Sequence, residues 1–366
     1  MPQLNFGDCT NAVNTTRQWA QSAVSPTELD DPHFVAFGLY KALVAYKATG
    51  QTTATSDLIS ALRRGVFSAG DFHPREQLTF GQALISHGAH LSSNLYLAAF
   101  ISALDLARNY RNAWFAWGAH MSGATQLANA GLDGLEKSMH PRLGAVPNSS
   151  AAWVQPPVYA LGTNASCANA FLASGRIDAA VRVGKFMKDL IMAQPHDATV
   201  LGLACNGSGQ TLRPQEVVHG IAHKLYFLYP GQLGQVYWPL GFTIKVLAQL
   251  YRDTGQSTWL DPAKRIAQWL QRCTDECTSS ISSAKIGWGA GEMFAATGDR
   301  IWSDMAASAL HTIVRRQTPQ GIWMRPDLPA WLPQPLVVSV DTAIERMYYL
   351  TRVPAALREG GAPLPE

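Results

Sequence analysis

Two ten-residue stretches decide the fold: Thr254–Ala263, which reads T-G-Q-S-T-W-L-D-P-A, and Thr297–Ala306, which reads T-G-D-R-I-W-S-D-M-A. Both follow the pattern T-G-x-x-x-W-x-D-x-A, and each lies between two apolar segments with helical spacing. The glycine suits the left-handed residue that ends a helix, and the aspartate suits the first turn of the next helix. The tryptophan is placed to pack across the turn. Each stretch therefore predicts a helical hairpin.

Weaker copies of the pattern occur twice more. Thr49-Gly50 is followed by Asp57, and Ser174-Gly175 is followed by Asp178. Any two helical hairpins can share a glycine stop and an aspartate start, but an identical spacing of tryptophan, aspartate and alanine favours true repetition. Repeats of this length are typical of stacked α-hairpins.

Helical periodicity dominates the whole chain. The apolar spacing predicts about twelve helices, at 32–49, 55–67, 77–110 (with a break near Gly88), 113–130, 158–174, 178–192, 214–228, 239–254, 261–273, 287–297, 301–316 and 341–351. Strand signals are few: 322–324 and 336–340 could form a short ribbon, as could 198–203. We therefore predict an all-α fold with a few short strands in loops.

The composition of the chain limits the class of protein to which it can belong. The chain has 366 residues, of which 47% are hydrophobic and 15% charged, with a formal net charge of +3 and 11 tryptophans. This apolar content argues against disorder. No apolar run reaches the roughly 18 residues that a membrane span needs, and no basic stripe suggests nucleic acid. We expect one domain over 1–366, with an N-terminal segment at 1–30, a C-terminal tail at 352–366, and neither a membrane nor a nucleic acid as partner.

Cysteines and glycosylation sequons bear on the compartment. The five cysteines leave an odd thiol in an oxidising compartment, and Cys273–Cys277 or Cys167–Cys205 could form disulfides. Sequons occur at four asparagines, Asn14, Asn148, Asn164 and Asn206, while residues 1–10 lack the apolar core of a signal peptide. A cytosolic protein and a secreted protein whose signal peptide has been removed both remain open. The low lysine content and the Cys-Asn-Gly-Ser-Gly stretch at 205–209 favour secretion slightly.

At this level the chain resembles the (α/α)6-toroid, or six-hairpin, superfamily. The residues that carry the resemblance are the Thr-Gly hairpin copies and the stretch Gly287-Trp288-Gly289-Ala290-Gly291-Glu292, which is similar to the inner-helix start of these families. The superfamily includes unsaturated glucuronyl hydrolases, α-mannanases, sugar 2-epimerases and lyases, and terpene-cyclase toroids share the layout. The resemblance implies a double ring of helices around a central cavity. The Asp-Asp motif of the mannanases has only Asp30-Asp31 as a distant counterpart.

A toroid directs the starts of its inner helices to one common mouth. The helix before each Thr-Gly should be inner, which puts inner starts near Pro32, Val158, Pro239, Gly287 and Asp341. Flat aromatic rings at these starts suit sugar rings, and two carboxylates can divide acid and base roles. We therefore list as substrate-binding candidates Asp31, His33, Trp153, Tyr159, Tyr237, Trp238, Trp288 and Trp323.

Three carboxylates are catalytic candidates. Glu292 lies in an apolar helix behind three glycines, which would let a substrate approach the backbone, and burial should raise its pKa as a general acid requires. A buried ion pair with an arginine is the alternative for Glu292. Asp341 and Glu345 lie one turn apart on one helix face, so they either share a pocket or form a cap pair.

Histidines supply a second set of candidates. His219 and His223 are four residues apart, and His87 and His90 are three apart, so each pair lies on one helix face. Such pairs could act as general bases or bind a metal, or could simply hydrogen-bond to neighbours. Gly220 stands where the H-E-x-x-H motif needs glutamate, which excludes a zinc protease. The prediction includes His219 and His223 as catalytic candidates and includes no metal and no cofactor.

The sequence leaves three functions open. The first is a glycoside hydrolase or lyase that acts on an oligosaccharide or another small molecule with carboxylate acid–base chemistry. The second is a cyclase or isomerase of an apolar metabolite, in which the same aromatic cavity stabilises a cation. The third is a non-catalytic toroid that binds a glycan. A cavity with several carboxylates favours a sugar, whereas an apolar cavity with one or two acids favours a cyclase.

Overall fold

The structure, a computed structural model, describes residues 6–68, 71–72, 108–149, 156–217, 221–280, 283–324 and 334–362. Its α-helices are α1 (Phe6–Ala23), α2 (Pro26–Asp30), α3 (Pro32–Gly38), α4 (Ala42–Ala48), α5 (Thr52–Ala61), α6 (Arg108–Met121), α7 (Thr125–Lys137), α8 (Leu161–Ala173), α9 (Ile177–Met192), α10 (Ile221–Tyr226), α11 (Trp238–Thr254), α12 (Leu260–Leu270), α13 (Glu276–Ser279), α14 (Ala284–Thr297), α15 (Arg300–Arg315) and α16 (Leu336–Glu359). A π-helical turn covers Leu62–Val66, and 3-10 turns cover Pro214–Glu216 and Ser257–Trp259.

The strands are two residues long and pair antiparallel. They are β1 (Phe67–Ser68), β2 (Asp71–Phe72), β3 (Tyr159–Ala160), β4 (Leu201–Gly202), β5 (Ala204–Cys205) and β6 (Phe227–Leu228), which pair as β1–β2, β3–β5 and β4–β6. The predicted all-α fold with short strands in loops is confirmed.

The helices form two concentric rings. Each of α4, α6, α8, α11, α14 and α16 contacts the next, and α16 contacts α4, so these six inner helices close a ring. Helices α1, α5, α7, α9, α12 and α15 pack outside them. The inner helices are buried on nearly every face, whereas α9, α12 and α15 bury one apolar stripe, as a surface helix does. The chain is an (α/α)6 toroid.

The hairpin pattern behaves as the sequence predicts. Gly255 and Gly298 end inner helices at φ values of 68° and 70°, and the tryptophans five residues after each threonine, Trp259 and Trp302, are both buried. All six inner helices end in this way, because Gly50, Gly123, Gly175 and Gly361 also have positive φ. No Cβ at any of these six glycines would meet a neighbour, so backbone conformation alone requires glycine there.

The glycines of the 287–291 stretch pack helices together instead of admitting a ligand. A Cβ on Gly289 would lie 2.1 Å from the Gly241 carbonyl oxygen, and one on Gly287 would lie 2.7 Å from the Ala309 Cβ. The inner helices α11 and α14 therefore touch backbone to backbone. The prediction that these glycines open a path for substrate is wrong.

Several predicted boundaries are also wrong. The helix over 32–49 breaks between α3 and α4, and the helix over 113–130 is two helices separated by Gly123. Residues 336–340 begin α16 instead of forming a strand, because burial of this segment in the inner ring overrides its β-branched composition. Residues 352–359, expected in a tail, continue α16. Most of the predicted helix 77–110, with His87 and His90, lies outside the described residues.

The structure bears on the two sequence features that we used to judge the compartment, the cysteines and the sequons. All five cysteines are free thiols, so neither suggested disulfide forms. The sequon asparagines Asn148 and Asn164 are buried, and Asn164 bonds to the backbone of Val146 and Ala160. Within the described ranges, no helix combines the length and the apolar character that a membrane span would require.

Candidate active site

A buried ionic cluster lies where α16 meets the turn between α3 and α4. Helix α16 places Asp341 and Glu345 one turn apart, with side chains 16% and 11% exposed. The break between α3 and α4 brings in Lys41, whose Nζ lies 2.9 Å from Asp341 Oδ1 and 3.0 Å from Glu345 Oε1. One lysine therefore bridges both carboxylates.

Glu345 is held as an anion by further donors. Lys285, in the first turn of α14, forms an ion pair with Glu345 Oε1, and the Tyr349 hydroxyl donates to the same oxygen at 3.0 Å. Burial alone would raise the pKa of Glu345, but the charges of Lys285 and Lys41 outweigh it and hold that pKa well below its usual range. Glu345 is therefore suited to fix the two lysines and not to exchange protons.

Asp341 has the opposite character. Burial raises the pKa of Asp341, and the negative charge of Glu345 adds to the rise, although Lys41 acts against it. Burial opposes ionisation of Lys41, but Asp341 and Glu345 together raise the pKa of its ammonium group. Of two neighbouring carboxyls whose pKa values are pushed apart, the one with the raised pKa is the one suited to act as an acid near neutral pH. Asp341 is the carboxyl that can donate or accept a proton here.

Aromatic side chains wall the cluster. Tyr40 lies beside Asp341, and its ring centroid is 6.0 Å from that of Tyr110. Trp238, the first residue of α11, packs 5.1 Å from Tyr110, and the Lys285 ammonium lies 5.1 Å from the Trp238 centroid. Trp238 stays half-buried while both tyrosines are buried. The cluster thus combines charged groups with ring faces at one end of the barrel.

The expectation of a raised pKa at Glu292 is wrong. Its carboxylate accepts from Arg252 and Arg352, each at 2.7 Å. Burial would raise the pKa of Glu292, but Lys245 and the two arginines lower it to about 2. Glu292 also lies seven residues beyond Lys285 on α14, about 10 Å further along the barrel. The alternative hypothesis for Glu292, a buried ion pair with arginine, is the one observed.

Most of the aromatic candidates are packing residues. Trp288 is fully buried in the barrel and stacks on Trp117 at 6.1 Å, and buried Trp323 donates through Nε1 to the Ile313 carbonyl at 2.7 Å. Two further candidates, Tyr237 and Tyr159, hold loops. The Tyr237 hydroxyl lies 3.5 Å from Thr274 Oγ1, and Tyr159 pairs with Cys205 in β3–β5. Of the described aromatic candidates, Trp238 is the one whose ring lies beside Lys285 and Tyr110 of the cluster.

The other candidates fall elsewhere. His223 is buried on α10, with its Nε2 3.3 Å from the Tyr229 hydroxyl, next to a second, smaller apolar cluster around Tyr226 and Phe227. Asp31 is half-buried, and its carbonyl accepts from the Val35 amide. His219 and Trp153 lie outside the described residues, as does the side chain of His33. No group of three or more potential metal ligands occurs in the described ranges.

The sequence analysis missed the partners of the two carboxylates. The sequence analysis singles out none of these partners, which are Lys41, Lys285, Tyr40, Tyr110 and Tyr349. A usable signal was present, because a lysine flanked by apolar residues needs a polar or charged partner when its segment is buried. Lys41, Lys245 and Lys285 all fit that description and are all buried.

Comparisons with known proteins identify the fold class. No family model matches the chain, and no curated protein matches it. Among solved structures, an α-mannanase of glycoside hydrolase family 76 from Bacteroides thetaiotaomicron superposes with a TM-score of 0.61 at 10% identity, covering 96% of each chain. A D-mannose isomerase gives 0.61 at 11% identity, covering 93% of this chain and 96% of the other. An unsaturated glucuronyl hydrolase specific for heparin gives 0.58 at 10% identity, covering 99% of each. These similarities show the fold.

The distant counterpart of the mannanase Asp-Asp pair is not part of the cluster. Asp30 is exposed and pairs with exposed Arg64 at 2.9 Å. The carboxylates of the cluster are instead Asp341 and Glu345, on the last inner helix.

Proposed function

We propose that the protein is a carbohydrate-active enzyme, a glycoside hydrolase or lyase, in which Asp341 is the acid–base residue. The observation that carries the proposal is the Asp341–Glu345 pair, bridged by Lys41 and walled by Tyr40 and Trp238. Several charged and polar groups in one place suit a hydroxyl-rich substrate. They do not suit an apolar metabolite or a cation formed in an apolar cavity, so a cyclase is disfavoured.

The residues of the cluster have separate tasks in this proposal. Asp341, with its raised pKa, keeps a proton to higher pH than an ordinary aspartate and can deliver it to a leaving oxygen. Glu345 stays ionised and positions Lys41 and Lys285. Trp238 offers an amphipathic ring edge at the rim of the cluster.

A sugar isomerase is the second candidate. Hydrolysis with two carboxylates requires both to act, whereas Glu345 is fixed by Lys41, Lys285 and Tyr349. Isomerisation of a sugar can proceed with one acid–base group that moves a proton. The D-mannose isomerase of similar fold is consistent with this candidate.

The test is an activity screen that separates the reactions. Purified protein is incubated with α-1,6-mannooligosaccharides, with unsaturated uronides, with a uronate polysaccharide and with D-mannose. New reducing ends report hydrolysis, absorbance of a new double bond reports elimination, and chromatography of D-mannose and D-fructose reports isomerisation. We expect turnover in one arm, reduced by about a hundredfold or more in Asp341→Asn.

The control is Asp253→Asn, which changes the same functional group on the exposed last turn of α11, where Asp253 accepts from Gln249. It should retain wild-type turnover. Circular dichroism and thermal unfolding establish that Asp341→Asn is folded. Turnover by folded Asp341→Asn within threefold of the control would refute the assignment of Asp341.

A further inference from the structure

A pocket lies at the opposite end of the barrel from the carboxylate cluster. It forms where the adjacent inner helices α4 and α6 end and the outer helix α5 begins. Its volume is about 350 Å³, within the range of small-molecule sites. It shares no lining residue with the cluster around Asp341, since Lys41 precedes α4 and the pocket begins at Tyr46.

The floor of this pocket is polar and fixed. Tyr46, Gln51 and Thr55 are all more than nine-tenths buried. The Gln51 amide nitrogen donates to Thr49 Oγ1 at 2.9 Å, which holds the side chain and leaves its carbonyl oxygen to accept from a ligand. The buried Ser122 Oγ has no hydrogen-bond partner among the described residues. A buried hydroxyl without a hydrogen-bond partner lowers the stability of the fold unless a ligand or another polar group bonds to it.

The rim of the pocket is cationic. Lys47 and Arg63 line the pocket and are exposed, and neither forms an ion pair with another described residue. None of the described residues that line the pocket is acidic. The first turn of α5 also directs backbone N–H groups toward this end, which adds positive potential. The pocket therefore offers hydroxyls and an amide at its base and two charges at its edge.

We infer that this pocket binds an anionic sugar unit, with the sugar hydroxyls on Gln51, Thr55 and Ser122 and the anionic group between Lys47 and Arg63. A phosphorylated, sulfated or uronic monosaccharide has this chemistry. The site goes beyond the proposed catalytic function and does not depend on it, because it uses no residue of the carboxylate cluster.

The experiment is isothermal titration calorimetry of the full chain with three probes: glucose 6-phosphate, glucose and inorganic phosphate. We expect saturable binding of glucose 6-phosphate at least tenfold tighter than either other probe. Arg63→Met and Lys47→Met should each weaken it about tenfold, and Ser122→Ala should weaken it less. Lys137→Met, which removes an exposed lysine at the end of α7, is the matched control and should leave the affinity unchanged.

The outcomes that overturn the inference are distinct. Equal affinity for glucose would eliminate the anionic preference, and equal affinity for inorganic phosphate would eliminate the sugar. Binding that survives Arg63→Met and Lys47→Met but is lost in Trp238→Ala would place the ligand at the carboxylate cluster. Absence of saturable binding by the wild-type chain would refute the site itself. None of these results bears on turnover by Asp341.

Discussion

Glu292→Gln should reduce stability and leave chemistry intact. The Glu292 side chain is 3% exposed and accepts from Arg252 and Arg352. A pKa that falls from 4.5 to about 2 corresponds to roughly 3 kcal/mol of preference for the ionised form in the folded state. Glutamine keeps the shape and loses the charge, so the free energy of unfolding at neutral pH should fall by about 3 kcal/mol, as expected when one member of a buried ion pair is removed.

The matched control is Glu359→Gln. Glu359 contacts the same Arg352 at 3.6 Å, but its side chain is half-exposed. Exposed pairs contribute little, so this variant should change the free energy of unfolding by less than about 1 kcal/mol. Urea denaturation of wild type and both variants, followed by circular dichroism, gives the comparison.

The pH dependence supplies an independent check. Because the folded-state pKa of Glu292 is depressed, its stabilising contribution is present above about pH 4.5 and is lost as the pH falls toward about 2. The difference between wild type and Glu292→Gln should therefore shrink over that window, since protonated glutamate resembles glutamine. A difference below about 0.5 kcal/mol at neutral pH, or one that stays constant down to pH 2, would refute the ion-pair account.

Three further predictions follow from packing and charge. Gly289→Ala should destabilise the protein by at least about 2 kcal/mol or prevent folding, because its Cβ would lie 2.1 Å from a backbone oxygen of α11. The control is Gly291→Ala, whose Cβ would make ordinary contacts at 3.5 Å, and urea denaturation compares the two variants. Gly298→Ala should cost about 1 kcal/mol through its φ of 70°, and Gly298→Asn should cost less; equal thermal stability of all three proteins would contradict this. Lys41→Met should unfold more readily at about pH 8 than at about pH 5, because the two carboxylates lose their shared cation and repel each other until one is protonated. Thermal unfolding of the variant at both pH values measures this difference, and equal stability at both would exclude the bridging role of Lys41.

The sequence predicted only part of the candidate active site. Asp341 and Glu345 could be placed together because a spacing of four residues puts two side chains on one helix face. Their lysines, Lys285 of α14 and Lys41 in the break before α4, precede Asp341 by 56 and 300 residues, and no local pattern relates such distant segments. Glu292 shows the converse: its apolar flanks correctly indicated burial, but the sign of its pKa change depended on Arg252 and Arg352, which two other inner helices contribute.

The sequence by itself determined the layout of this protein. The Thr-Gly-Trp-Asp pattern fixes hairpins through local backbone conformation, since Gly255 and Gly298 end their helices with a positive φ whatever surrounds them. Ring closure and the burial of charge were decided by the tertiary structure alone. Contacts such as Lys41 to Asp341 join residues 300 positions apart, and their energies depend on distance and burial that exist only once the ring has closed.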